Sequence, residues 1–114
     1  KVAQKMAKGA YNLFFERLDN GNTVVKDIPW FTLVLYRGFE DLYKTDKNPK
    51  YIDTIRKCID WAWNHARDAE GLPYRDWTGR KNENNEPKWL LDSSCMIELY
   101  ARVGILENLN LKNK

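Results

Sequence analysis

Apolar positions recur every three to four residues through most of this chain, the spacing of helices that each bury a face. The first such segment covers about residues 2–18. Val2, Ala3, Met6, Ala7, Ala10, Leu13 and Phe14 fall on one side, with Lys5, Lys8, Asn12 and Glu16 on the other. Asn20-Gly21 ends it, since Gly accepts the left-handed conformation that closes a helix. The second, about 28–44, is apolar nearly all round: Phe31, Leu33, Val34, Leu35, Tyr36, Phe39, Leu42, Tyr43. Asp27 is its expected N-cap, and Pro29 is tolerated in the first turn. The third, about 49–69, is one-sided again, with Ile52, Ile55, Ile59, Ala62, Trp63 and Ala66 inward. Asn48 is its expected N-cap, with Pro49 at the first helical position and Gly71 as its stop. The fourth, about 87–103, is apolar on most sides, from Trp89 and Leu90 to Tyr100 and Val103, with Gly104 as the expected C-cap.

One-sided and all-round helices therefore alternate. A compact four-helix bundle asks for four similar one-sided helices. Alternation predicts two layers instead, with the second and fourth helices inside and better buried than the other two. The expected fold class is all-α: antiparallel α-hairpins forming a partial α/α toroid, the arc of an (α/α)6 barrel. Residues 1–114 then form a single domain or a fragment of a larger (α/α)6 catalytic domain. No strand pattern competes, because Thr23-Val24-Val25 is too short.

Composition narrows the function classes. Apolar content is 43% and charged content 31%, ordinary for a globular chain, but 13% aromatic content with five Trp is high. The net charge is only +3, with both signs interspersed. No basic stripe calls for nucleic acid and no polybasic patch for a membrane. Cys58 and Cys95 lie inside helical patterns and read as buried free thiols. With a single His65 they build no metal framework, so neither metal nor cofactor is expected.

Consecutive helices run antiparallel, so the two long connections share one end with the N-termini of both inner helices. The candidate site is there: Trp30 on the second helix, Tyr74, Asp76 and Trp77 on the loop "GLPYRDWTG", and Trp89 and Asp92 on the fourth helix. Rings can stack on the C–H faces of sugars while acids accept hydrogen bonds from hydroxyls. Alternatively, Tyr74 and Trp77 cover the end of the core, Asp76 caps a turn, and Asp92 faces a helix dipole. Arg37, a cation inside a very apolar helix, needs a partner if it is buried, and a structural ion pair is expected ahead of contact with a ligand.

The run "IPWFTLVLYRGFEDLYKTDKNPKYIDTIRKCIDWAWNHA", then "GLPYRDWTG" and "WLLDSSCMIELYARV", resembles the C-terminal part of family 76 glycoside hydrolases, the α-1,6-mannanases, over about residues 28–104. The order Trp30-Phe31, Arg37-Gly38, Asp76-Trp77, Trp89 and Asp92 carries the resemblance. It implies an (α/α)6 barrel cleaving mannan endo-wise with retention of configuration, secreted, periplasmic or on the cell surface. That family uses an adjacent Asp-Asp pair, and none occurs here. Retention needs two carboxyl groups roughly 5–5.5 Å apart. The chain is therefore expected to supply part of the wall of a sugar cleft, to carry no catalytic residue, and to be inactive alone. The expected partner is a mannan-like carbohydrate, with self-association possible through uncovered inner helices. Two other readings stand beside this one. Another (α/α)6 enzyme, such as an unsaturated glucuronyl hydrolase, favours Arg75 and Arg80 reading a substrate carboxylate. A helical-repeat interaction module needs polar capping helices at both ends. The tail "ILENLNLKNK" is short and partly polar, as expected of a true C-terminus, whereas the first segment begins mid-pattern with no N-cap before it, which points to truncation on that side only.

Overall fold

A computed structural model describes residues 1–80 and 88–112. The chain is mostly helical: α1 Val2–Phe14, β1 Phe15–Arg17, β2 Thr23–Val25, α2 Pro29–Asp46, α3 Lys50–His65 and α4 Leu90–Lys112. The two strands form an antiparallel hairpin with Phe15 opposite Val25 and Arg17 opposite Thr23. This corrects two expectations, a first helix running to residue 18 and the absence of strands. The cause is tertiary. Val24 and Val25 are fully buried, and the Cys58 thiol donates to the Thr23 carbonyl at 3.1 Å, tying β2 to α3. Gly21, at φ +87°, turns the hairpin, so Asn20-Gly21 marks a β-turn and not a helix end.

Helix directions follow from the cross-links. Gln4 Nε2 donates to Asp46 Oδ2 at 3.4 Å, joining the start of α1 to the end of α2. Phe39 stacks on Tyr51 at 4.7 Å, and Tyr100 Oη donates to the Ile59 carbonyl at 2.6 Å. Arg56 pairs with Glu107 at 3.3 Å. Helices adjacent in sequence are thus antiparallel. By contrast, α2 and α4 run parallel, linked in register by Arg37–Glu98, by Arg102 Nη1–Glu40 Oε2 at 2.9 Å, and by Tyr43 Oη donating to Asn110 Oδ1 at 3.4 Å. They share the most extensive contact of any helix pair.

Burial departs from the layered expectation. Helix α2 buries one stripe: Pro29, Thr32, Leu33, Tyr36 and Phe39. So does α4, with Asp92, Cys95, Met96, Leu99 and Val103. Helix α3 does as well, with Ile52, Ile55, Cys58, Ile59 and Ala62, and α1 buries no residue fully. The reason is a shortage of neighbours. An all-round apolar helix is covered only when other elements surround it, and the described residues cover one side of α2 and of α4. The rest of their apolar surface lies open, as at Leu90 (83% exposed) and Ile97 (71%).

Helix ends also differ from the sequence reading. Helix α2 starts behind Ile28, and Asp27 accepts the Ile28 amide at 2.8 Å, one residue ahead of the cap. Asn48 accepts the Lys50 amide at 3.1 Å, the first of α3. Helix α3 stops at His65. There the chain turns back, with Tyr74 N bonded to the Ala66 carbonyl at 2.7 Å and Asp68 Oδ1 accepting the amides of Glu70 and Leu72. Gly71 sits in that turn at φ +88°. Helix α4 runs through Gly104 to Lys112, because contacts at Glu107 and Asn110 continue past the glycine. Its expected start at residue 87 lies outside the described residues. Both cysteines are free and buried.

Candidate functional site

Parallel packing of α2 and α4 brings their N-termini to one level. Arg37–Glu98 and Glu40–Arg102 span 61 and 62 residues. Both helices begin at that end, α2 at Pro29 and α4 at Leu90. Pro29 starts α2 and fixes its first turn, so Trp30 and Phe31 emerge at the tip. Their rings meet edge to face at 4.3 Å and both stay substantially exposed.

Trp89 immediately precedes α4 and is 57% exposed. The Arg75 guanidinium lies over its ring, 4.2 Å from the centroid. Arg75 Nε also donates to Asp92 Oδ2 at 2.8 Å. Asp92 is buried in the first turn of α4, where the helix dipole favours an anion. Its Oδ1 is buried and has no hydrogen-bond partner among the described residues. The result is a flat aromatic surface with a guanidinium on one side and a shielded carboxylate behind it.

The loop of residues 71–79 contributes less than its composition suggests. Tyr74 and Trp77, expected on the wall of the cleft, point into the core; Trp77 is 1% exposed. The Trp77 carbonyl accepts from Trp61 Nε1 at 3.1 Å, and Lys88 Nζ lies 3.7 Å from the centre of the Tyr74 ring. Asp76 accepts from the Thr78 amide at 3.0 Å and from its hydroxyl at 2.7 Å, shaping a turn. Burying two large rings removes more apolar surface from water than an exposed loop could, and this places them inward. Of the six expected residues, Trp30 and Trp89 stay exposed at the N-termini of α2 and α4, while Asp92 is buried in the first turn of α4. Arg75, expected on the same loop but named only as a reader of a substrate carboxylate, joins them by its contacts with Trp89 and Asp92.

Arg37 finds the acidic partner its setting called for, Glu98, across the α2–α4 seam. Hydrogen bonds from Arg37 and Arg102 hold the Glu98 carboxyl below its usual range. Among the described residues no group of three or more His, Cys, Asp or Glu side chains is placed to hold a metal ion, and no helix is long and apolar enough to cross a membrane. The chain matches no protein-family model and no curated protein.

Proposed function

We propose that this chain is the C-terminal portion of an α-mannan-degrading glycoside hydrolase, an arc of an (α/α)6 toroid that forms part of a sugar cleft and does not carry the catalytic acids. The observation that carries the reading is the parallel α2–α4 pair, with Trp30 and Trp89 exposed at one level and the Arg75–Asp92 pair between loop and helix. In an up-and-down bundle the parallel helices sit on a diagonal, whereas here they share the most extensive contact of the helix pairs among the described residues. A toroid places inner helices side by side and parallel in this way. Rings at that end supply stacking faces, and Arg75 and Asp92 supply orientation. The glucuronyl-hydrolase alternative has less to draw on, because Arg80 pairs with Glu16 through both Nη atoms and Arg75 shares its charge with Asp92 through Nε.

The same reading accounts for the open apolar stripes on α2 and α4, which further hairpins of a toroid would cover. In isolation those stripes drive self-association. The test is titration of α-1,6-mannohexaose into the chain, followed by the indole N–H signals in NMR. The expected result is perturbation of Trp30 and Trp89, loss of the Trp30 perturbation in Trp89→Ala, and no release of reducing sugar from α-1,6-mannan. Absence of any perturbation at millimolar sugar removes the reading. Hydrolysis abolished by Asp92→Ala or Asp76→Ala would assign catalytic acids to this chain and overturn it in the other direction.

A further inference from the structure

A second surface has a different chemistry. The hairpin turn and the outward face of α3 enclose an open groove of about 810 Å³, within the size range of small-ligand sites. It shares no residue with the Trp30–Trp89 end. Both walls are anchored: the Cys58 thiol holds Thr23 against α3, and Trp61 Nε1 holds the floor to the Trp77 carbonyl. The groove is therefore preformed.

Its polar groups have a definite sense. Lys57, Asp60, Asn64 and His65 line it from α3, and Thr23 from β2. Asn64 Nδ2 gives one of its two protons to the Asp60 carbonyl at 2.9 Å, and its Oδ1 remains an acceptor beside the second N–H. His65 Nδ1 lies 3.1 Å from the Trp61 carbonyl, and a carbonyl can only accept, so Nδ1 carries the proton. In the neutral ring Nε2 is then an acceptor for an outside donor. The nearest cation to the Asp60 carboxylate on its own helix is Arg56, at 3.9 Å. Three acceptors thus stand along one helical face, against the ammonium of Lys57 and the hydroxyl of Thr23. Three acceptors disfavour an anion, and Lys57 disfavours a cation. Groups that both donate and accept, at several points along a groove, belong to a neutral polyhydroxylated molecule. The imidazole of His65 stacks on Trp61 at 3.7 Å and 12°, adding a flat platform for the C–H face of a sugar.

We infer that this outer groove binds a neutral oligosaccharide, separately from the α2–α4 end and whether or not that end binds mannan. The experiment is calorimetric and NMR titration of the chain with α-1,6-mannohexaose, maltohexaose and cellohexaose, with a heparin hexasaccharide as the anionic comparison. At least one neutral hexasaccharide is expected to shift the Asn64 side-chain amide and the His65 ring signals. Asp60→Ala and His65→Ala, both at exposed positions, are expected to weaken that binding about tenfold, the scale of one lost hydrogen bond to a charged group or one ring contact, with Tm unchanged. Trp89→Ala is expected to leave it intact. Binding of none of the neutral sugars at millimolar concentration overturns the inference, as does binding of heparin alone. Binding that survives both α3 substitutions and disappears in Trp89→Ala also overturns it, while leaving the proposed function standing.

Discussion

Arg75 Nε donates to Asp92 Oδ2 at 2.8 Å, and the two ends of this pair sit in unequal surroundings: the Asp92 side chain is 8% exposed and that of Arg75 34%. Removing either partner should therefore have unequal effects. Arg75→Ala strands a buried carboxylate at the N-terminus of α4, where the helix dipole still favours it. A loss of about 2 kcal/mol is expected, below the range for fully buried pairs because Arg75 is partly solvated. Asp92→Ala frees an arginine that can turn to water, and about 1 kcal/mol is expected. Urea unfolding of both variants checks the order; a larger loss for Asp92→Ala would show that the dipole contact, and not the ion pair, dominates.

The aromatic residues divide into two groups. Trp77 is buried, and Trp77→Ala should cost about 3–5 kcal/mol through the cavity it leaves. Trp30→Ala and Trp89→Ala remove exposed rings and should each cost under about 1 kcal/mol. Thermal melts of the three variants test the division. A mild Trp77→Ala would mean that the loop does not close the core.

Alkaline pH should unfold the protein through two buried groups, on Cys58 and Tyr36, and the half-buried Tyr100. Burial pushes the Cys58 thiol from 9.0 up to about 12, and the Tyr36 and Tyr100 hydroxyls from 10.0 up to about 12. Each raised value means that the unfolded chain releases its proton first. The stabilisation is complete below about pH 9 and fades as pH rises from there through about 12. Denaturant midpoints should be flat near neutrality and fall above pH 9. Cys58→Ala should delay the onset of that fall. Native Cys58 should also resist thiol reagents until the chain unfolds.

Two glycines should respond oppositely to Ala. Gly104 lies within α4 with nothing within 4 Å of an added Cβ, so Gly104→Ala should stabilise by about 0.5–1 kcal/mol. Gly71 sits at φ +88°, where Ala is strained, so Gly71→Ala should destabilise by about 1 kcal/mol. If Gly104→Ala destabilised, α4 would end near residue 103, as the sequence pattern suggested.

The open stripes on α2 and α4 predict concentration-dependent association. Sedimentation should show a mass that rises with concentration, and Ile97→Lys should suppress the rise by placing a charge on the exposed face. A monomer at all concentrations in the unmodified chain would mean that the stripes are too small to hold a second copy.

Helical periodicity determined much of this protein by itself. The existence of four helices, the buried faces around Ile55, Ile59 and Leu99, and the burial of both thiols all follow from spacing, because burying a recurrent apolar face dominates local choices. Parity along the chain also determined that Trp30 and Trp89 share an end. Tertiary structure decided the rest. Val24 and Val25 became a strand because the hairpin fills a gap beside α3, a contact many residues away that no local pattern encodes. Gly104 failed to stop α4 because Arg56 and Tyr43, distant in sequence, hold the following turns. The apolarity of α2 and α4 signalled surface to be covered, but how much is covered depends on which neighbours are present. In "GLPYRDWTG" the composition announced rings, an acid and a base together. Only packing decided that Tyr74 and Trp77 turn inward while Arg75 turns out to meet Trp89 and Asp92, since the direction of a loop side chain is set by the space left between helices.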